Sequence, residues 1–369
     1  MAFKHIALIL TALALCACEG KNNGSSFSSN CGEQSSQLIT LSGNITYDFV
    51  PNAANGSLDY SATDVRPVRG ATVSLVWGNN NIYATTTSDE NGDFSFSAPT
   101  NQIIRVRVTA ALQQTGTPGW DISVTDNTSG NAPYVMQGSL TCTGTADQER
   151  DLHAASGWTG SSYGSNRTAA PFAILDSVYQ ALALLRDSDP LIILPPVELR
   201  WSTENRAISG SASNGDIGTS NYFNGSIHIL GDENNDTDEY DRTVVQHEFA
   251  HYLEDAISRS DSRGGQHNLL GALDMRLAFS EGLGNAFAAI ASGTGIYADS
   301  NNSQQAGGFQ FSLETEEFIN RGWYSENTSG LIIYDIFDSN DDGADAISLG
   351  FTPIYDTLTA STYREGNTR

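Results

Sequence analysis

Apolar and polar residues alternate with a period of two through much of the first third of the chain. The alternation is clearest in residues 37–47, 71–77, 82–87, 93–97 and 103–109. Because successive side chains of a strand point to opposite faces of a sheet, this period is typical of strands with one buried face. No helical spacing interrupts these segments, so the pattern predicts an all-β sandwich.

Beyond residue 170 the apolar spacing changes to three and four residues, which is typical of helices. A first helix is predicted to begin at Ala170-Pro171, because proline suits the first helical turn. Further helices are predicted around residues 245–253 and 277–290. Strand-like segments at 197–201 and 226–230 precede the second helix. The second half of the chain is therefore expected to be of the α+β class.

The chain has 369 residues, a length that suggests two domains. Residues 151–168 are rich in glycine and serine and predict a linker between them. The expected organisation is multidomain, with the all-β sandwich over residues 38–150 followed by an α+β domain over residues 169–369.

Residues 1–17 have the pattern of an export signal, with Lys4 before an apolar run that is too short to span a bilayer. Leu15-Cys16-Ala17-Cys18 resembles a bacterial lipobox. The resemblance implies cleavage and lipidation at Cys18, with residues 18–37 as a flexible tether. An ordinary cleaved secretory signal is the alternative. The first interpretation predicts a lipoprotein of the bacterial cell envelope, anchored to the outer membrane or the cell surface.

Charge and cysteine content narrow the possible partners. The formal net charge is −25, which repels phosphate and argues against a nucleic acid partner. After export and processing, Cys31 and Cys142 remain as an even pair in an oxidising compartment, which predicts a disulfide. Closing a loop of that length would stabilise the fold by about 4 kcal/mol.

The motif His247-Glu248-x-x-His251 lies inside an apolar, helix-favouring run. On a helix, residues four apart share a face, so the two imidazoles can bind one metal ion. Catalytic zinc takes three protein ligands and one water, whose proton a neighbouring carboxylate such as Glu248 can accept. A surface helix with incidental histidines is the alternative, although Phe249 and Ala250 favour a buried helix.

The third zinc ligand has to come from outside the His247-Glu248-x-x-His251 motif. Glu254 and Ile257 replace the glycine and histidine of the metzincin extension and exclude that arrangement. Glu281, on the predicted helix 277–290, is the candidate we favour, although it could instead pair with Arg276. The rival ligands are His267, Asp274 and Glu254.

His247-Glu-x-x-His251 followed by Glu281-Gly-x-x-Asn285 resembles the gluzincins, the thermolysin and fungalysin type of zinc peptidase. The resemblance implies a zincin-like metallopeptidase fold, with Zn²⁺ bound by His247, His251 and Glu281. It also implies hydrolysis of peptide or protein substrates with Glu248 as general base. Asn285 departs from the family pattern, in which an aspartate usually holds a ligand histidine through a hydrogen bond.

Such enzymes also commonly use a tyrosine or histidine to stabilise the oxyanion, and Tyr324 and His267 are the candidates here.

The strand at residues 227–230 is expected to be the sheet edge along which a peptide substrate adds. The alternative function is a non-catalytic surface binding or adhesion lipoprotein built on a peptidase-like fold.

Residues 66–75 and 87–96 resemble the carboxypeptidase-regulatory-like sandwich domain, which accompanies extracellular enzymes.

Residues 232–241 contain six carboxylates immediately before the motif helix. Oxygen-rich loops of this kind can bind calcium. The interpretation we favour is a solvated turn whose last acidic residues lie at the positive end of the following helix. Calcium is therefore the alternative second cofactor beside zinc.

Overall fold

The computed structural model describes residues 31–33, 36–315, 320–339 and 347–366. The predicted signal at 1–17 and Cys18 lie outside these ranges, as does most of the tether. The strands are β1 (Leu38–Phe49), β2 (Asp64–Pro67), β3 (Ala71–Trp77), β4 (Ile82–Thr87), β5 (Asp93–Pro99), β6 (Ile103–Gln114), β7 (Trp120–Asp126), β8 (Ala132–Pro133), β9 (Val135–Gln137), β10 (Thr141–Cys142), β11 (Gln148–Glu149), β12 (Leu152–Ala154), β13 (Val197–Trp201), β14 (Asn221–Phe223), β15 (Ser226–Ile229), β16 (Gly231–Asp232), β17 (Asp236–Thr237), β18 (Ile296–Asn301) and β19 (Gly307–Ser312). The helices are α1 (Ala170–Ser188), α2 (Arg242–Ile257), α3 (Met275–Ser292), α4 (Glu326–Phe337), α5 (Phe351–Thr359) and α6 (Ser361–Arg364).

The first half of the chain forms two sheets that share one hydrophobic core. A five-stranded sheet contains β1, β2, β5, β11 and β12, and β3, β4, β6 and β7 belong to a ten-stranded sheet. Leu41 and Ile45 of β1 are fully buried, and they belong to the same apolar cluster as Val73 and Leu75 of β3. The five strands predicted from alternation are all present, and the protein is of the mixed α/β class with high sheet content.

Cys31 and Cys142 form a disulfide, with their Cα atoms 5.7 Å apart. The pairing predicted from the cysteine count is confirmed. The bond joins the start of the described chain to β10, which pairs with β6.

The ten-stranded sheet continues across the predicted linker. Its order is β14-β15-β13-β7-β6-β3-β4, and β13 pairs in parallel with β7 through Val197 opposite Ile122. Parallel neighbours need a long crossover connection, and α1 lies within this one. The division of the chain at residues 151–168 stays a prediction, and a cut there would leave an unpaired sheet edge on each side.

Helices α2 and α3 carry the site residues; α2 packs against both α1 and α3, and α3 packs against α4. Gly282 allows the closest approach of α3 and α4, because a Cβ atom there would lie 2.5 Å from Ser329 Cβ and 2.6 Å from the Glu326 carbonyl oxygen. None of the helices formed by the described ranges is long and apolar enough to cross a membrane.

The expected sheet edge at residues 227–230 is wrong. β15 is paired on both sides, with β13 and with the antiparallel β14, and β14 is the terminal strand. Asn224 and Gly225 connect β14 to β15 with positive φ angles of 49° and 77°, as a two-residue hairpin turn requires. An Asn-Gly pair is a recognised hairpin signal, but β14 has only three residues and is too short to show alternation.

Candidate metal centre

One turn of α2 and the facing side of α3 bring three potential metal ligands together. His247 Nε2 lies 3.0 Å from His251 Nε2, and Glu281 Oε2 lies 3.1 Å from the first and 3.3 Å from the second. Ligand bonds of about 2.0–2.1 Å in a tetrahedral zinc site place ligand atoms about 3.3 Å apart. His247, His251 and Glu281 can therefore bind one metal ion, and of the predicted ligand candidates these three converge.

The other nitrogen of each imidazole is held by a hydrogen bond acceptor. His247 Nδ1 lies 3.0 Å from Asn285 Oδ1, and His251 Nδ1 lies 3.2 Å from Glu254 Oε2. An amide or carboxylate oxygen only accepts, so each Nδ1 carries a proton and the two Nε2 atoms face the shared point. A metal ion bound there would replace the Nε2 protons that otherwise form the hydrogen bonds with Glu281, and this fits a metal centre.

Gly284 makes room for the first of these imidazoles on the surface of α3. A Cβ atom at this position would lie 2.7 Å from His247 Cε1. On its other side the ring meets the edge of Tyr297 of β18, with ring centres 5.9 Å apart. His247 is thus enclosed and fixed in orientation.

The protonation of the triad follows from these contacts. Burial lowers the pKa of His251, but its hydrogen bonds with Glu254 and Glu281 outweigh burial and hold the pKa well above its usual range. Burial raises the pKa of Glu281, but hydrogen bonds from His247 and His251 outweigh it and lower the pKa. Glu281 is therefore an ionised carboxylate at neutral pH.

Glu248 is also buried, and its Oε2 accepts a hydrogen bond of 2.7 Å from the backbone nitrogen of Tyr222 in β14. Its charge also contributes to the raised pKa of His251, which lies on the same helix. Glu248 is not one of the three converging ligands. The carboxylate therefore contacts the terminal strand of the sheet from the helix that carries both histidines.

His267 reaches the centre from the segment between α2 and α3. Its Nε2 lies 3.4 Å from Glu281 Oε2, and its Nδ1 lies 2.9 Å from Glu326 Oε2 of α4. The hydrogen bond with Glu326 raises the pKa of His267. Glu326 was missed by sequence reasoning, because nothing in the pattern of α4 distinguishes it.

Tyr324, the other donor candidate, has different contacts. Its ring meets Trp323 edge-on, with centres 5.5 Å apart, and its carbonyl oxygen accepts a hydrogen bond from Leu273. The role of Tyr324 stays a prediction, and His267 is the candidate that contacts a ligand.

The rival third ligands have other partners. Glu254 accepts hydrogen bonds from the outer nitrogen of His251 and from Ser280. Asp274 caps α3 and forms an ion pair with Arg276 at 3.0 Å, so Arg276 is paired with Asp274 rather than with Glu281.

The second half of the acidic segment before α2 is buried, which contradicts a solvated turn there, whereas Asn234 and Asn235 in its first half form an exposed turn. Asp238 is 3% exposed, and Glu239 and Asp241 are fully buried. Asp241 precedes the first residue of α2 but does not cap it, because its carboxylate accepts hydrogen bonds from Asn52 and Ser300. Residues 237–241 are covered by other parts of the fold, which their sequence does not show.

No model of a known protein family matches the chain, and comparison with curated proteins finds no significant relative. The gluzincin resemblance therefore stays a prediction, and the function has to be argued from the geometry of the site.

Proposed function

We propose that this protein is a zinc-dependent peptidase that hydrolyses peptide bonds, and that it acts at the cell envelope as a lipoprotein anchored through Cys18. The observation that carries the enzymatic part is the convergence of His247, His251 and Glu281, with both imidazoles oriented by their outer nitrogens. The anchor rests on the lipobox resemblance alone.

The ligand set is one that catalytic zinc uses, and the spacing of the two histidines around Glu248 on one helix favours zinc over the other metals that imidazole and carboxylate bind. Two imidazole nitrogens and one carboxylate oxygen are typical of catalytic zinc, and three protein ligands leave one position open. A zinc ion held here would polarise a carbonyl group and lower the pKa of a water molecule.

The chain itself supplies the groups that move protons and balance charge. In this proposal Glu248 accepts the proton of the attacking water and transfers it to the leaving amine. His267, whose pKa is raised by Glu326, donates a hydrogen bond to the oxyanion. The carboxylate of Glu281 lies beside His251 and His267, and it neutralises positive charge on these two rings.

The terminal strand β14 offers a binding edge for an extended peptide. A peptide that adds beyond β14 gains affinity from backbone hydrogen bonds, with little preference for sequence. The peptide would accept from the N–H of Tyr222, which now donates to Glu248, and would so release that carboxylate for proton transfer. Phe223, 62% exposed, offers apolar contact at the same edge.

Glu248→Gln tests the proposal, with Glu90→Gln in an exposed turn as the matched control. We expect Glu248→Gln to keep its zinc, measured by atomic absorption, and to hydrolyse unfolded casein about 10² to 10⁴-fold more slowly. Glu90→Gln should match the wild type in both measurements. If the wild type binds zinc but cleaves no peptide or protein, the peptidase proposal is wrong. The non-catalytic surface binding protein then becomes the better interpretation.

A further inference from the structure

A second cluster of carboxylates lies apart from the triad. Asp236 of β17, Asp238 and Asp299 of β18 each offer an oxygen, and the three oxygens lie within 4.8 Å of one another. Among the described residues none of the three forms an ion pair, and the neighbouring Arg167 is paired with Glu239 at 2.8 Å. Three acidic groups from two distant parts of the chain therefore meet without a balancing charge.

Two carboxylate oxygens of this cluster are buried and have no hydrogen-bond partner among the described residues. Asp238 is 3% exposed; its Oδ2 accepts a hydrogen bond from Ser220, whereas its Oδ1 is buried without a partner. Asp236 Oδ1 is likewise buried without a partner. Folded proteins seldom leave buried polar atoms unpaired, and an ion or water commonly accounts for an exception.

The electrostatics agree with the geometry. Burial raises the pKa of Asp236 to about 6 and that of Asp299 to about 8. Burial, followed by the charge of Asp299, also raises the pKa of Asp238. Three ionised carboxylates are unfavourable here, so the cluster needs protons or a cation.

We propose that Asp236, Asp238 and Asp299 bind a calcium-type divalent cation. The donors are all oxygen, which favours a hard cation over zinc. Ca²⁺ accepts several carboxylates in flexible geometry and completes its six to eight ligands with carbonyl oxygens and water, whereas Mg²⁺ usually keeps most of its waters and uses one or two carboxylates. This site is independent of the proposed peptidase activity.

The cation would join β18 to the segment that leads into α2. Ala298, beside Asp299, donates its backbone N–H to Thr243 Oγ1 at 3.0 Å, and its carbonyl accepts from the same hydroxyl at 2.6 Å. Thr243 lies one turn before His247, and Tyr297 of β18 packs against the His247 ring. Binding would therefore stabilise the wall behind the metal centre.

The test uses zinc-loaded, calcium-free protein, with Tb³⁺ and Ca²⁺ as probes. We expect tyrosine-sensitised Tb³⁺ luminescence with one site per chain, displaced by Ca²⁺. Calcium at about one hundred times its dissociation constant should raise the unfolding midpoint by about 3 to 5 °C.

Asp299→Asn should abolish both effects, and without calcium it should unfold at the wild-type temperature or above, because the substitution relieves repulsion. Asp236→Asn gives the same readout if Asp299→Asn fails to fold. The matched control is Asp232→Asn in the same acidic segment, whose carboxylate already accepts the backbone N–H of Asn234; it should keep both effects. A wild type without Tb³⁺ binding and without calcium stabilisation would overturn the proposal, as would full calcium stabilisation of Asp299→Asn.

Discussion

The two clusters of metal-binding groups differ in how the protein supports them. In the triad, Asn285 and Glu254 hold the outer nitrogens of His247 and His251, so the chain itself fixes the ligand geometry. In the acidic cluster, the part of the chain that the structure describes offers neither a partner for two buried oxygens nor a counterion for the like charges. The triad is organised before any ion arrives, whereas the acidic cluster depends on a solute, a proton or a cation, for its charge balance.

The largest effect is expected from Glu281→Gln. This substitution leaves two histidines to bind the metal, which are too few for tight tetrahedral binding. Zinc should be lost on dialysis, and casein hydrolysis should fall by about 10⁴-fold or more. Asp274→Asn, which alters an exposed rival ligand, is the control and should keep both. If Glu281→Gln kept its full zinc content, Glu281 would not be a zinc ligand. The contrast between the triad and the acidic cluster would then fail.

Asn285→Ala measures how much support the triad receives. Loss of the acceptor frees the His247 ring, and we expect zinc affinity to fall by about 10 to 100-fold in competition with a chelating dye. Asn285→Asp should restore or strengthen binding, since a carboxylate accepts the same hydrogen bond. Unchanged affinity in Asn285→Ala would mean that the orientation of His247 is set by packing alone.

The pH dependence of stability sharpens the contrast from the other side. Because the pKa of Asp299, about 8 in the fold, is raised above its unfolded value, its protonated form favours the folded state. The contribution of Asp299 to the free energy of unfolding is therefore present at low pH and is lost as the pH rises through about 8. In zinc-loaded, calcium-free protein, the free energy of unfolding should be about 2 kcal/mol higher at pH 6 than at pH 8.5.

Neighbouring groups contribute to the same titration, and subtraction isolates the share of Asp299. The groups that face the cluster are Asp236, Asp238, Glu239, Asp241 and Tyr297. Denaturant unfolding of the wild type and of Asp299→Asn gives, for each protein, the change in the free energy of unfolding between pH 6 and pH 8.5. Saturating calcium should make this change smaller in the wild type. A pH difference as large in Asp299→Asn as in the wild type would contradict the assignment.

The smallest effect concerns His267, at the margin of the triad. The hydrogen bond with Glu326 raises the pKa of His267, so Glu326→Gln should lower it. If protonated His267 is the oxyanion donor, kcat/KM falls as the pH rises through this pKa, and the alkaline limb should move to lower pH in Glu326→Gln. Zinc content should stay unchanged. An unmoved limb would leave Tyr324 as the donor to test.

Strongly periodic segments were predictable from sequence, and residues that meet only in the folded chain were not. The spacing of apolar residues located α1, α2 and α3, and the motif placed His247 and His251 on one helical face. Asp299 lies 61 residues after Asp238, and no local signal connects the two. The pairing of β13 with β7 could not be predicted either. Alternation shows which face of a strand is buried, but it does not show which strand lies beside it.

Gly284 has a consequence for recognising distant relatives of this chain. Any side chain there would push the His247 ring off α3 and away from Asn285, so the contact acts as a spacing rule between two helices that are far apart in sequence. A homologue that keeps the two histidines but carries a larger residue at the equivalent of position 284 would need a different rotamer for the first histidine. The pair Gly284-Asn285, three residues after Glu281, is thus the part of the signature that would separate chains with the same metal geometry from chains that share only the short motif.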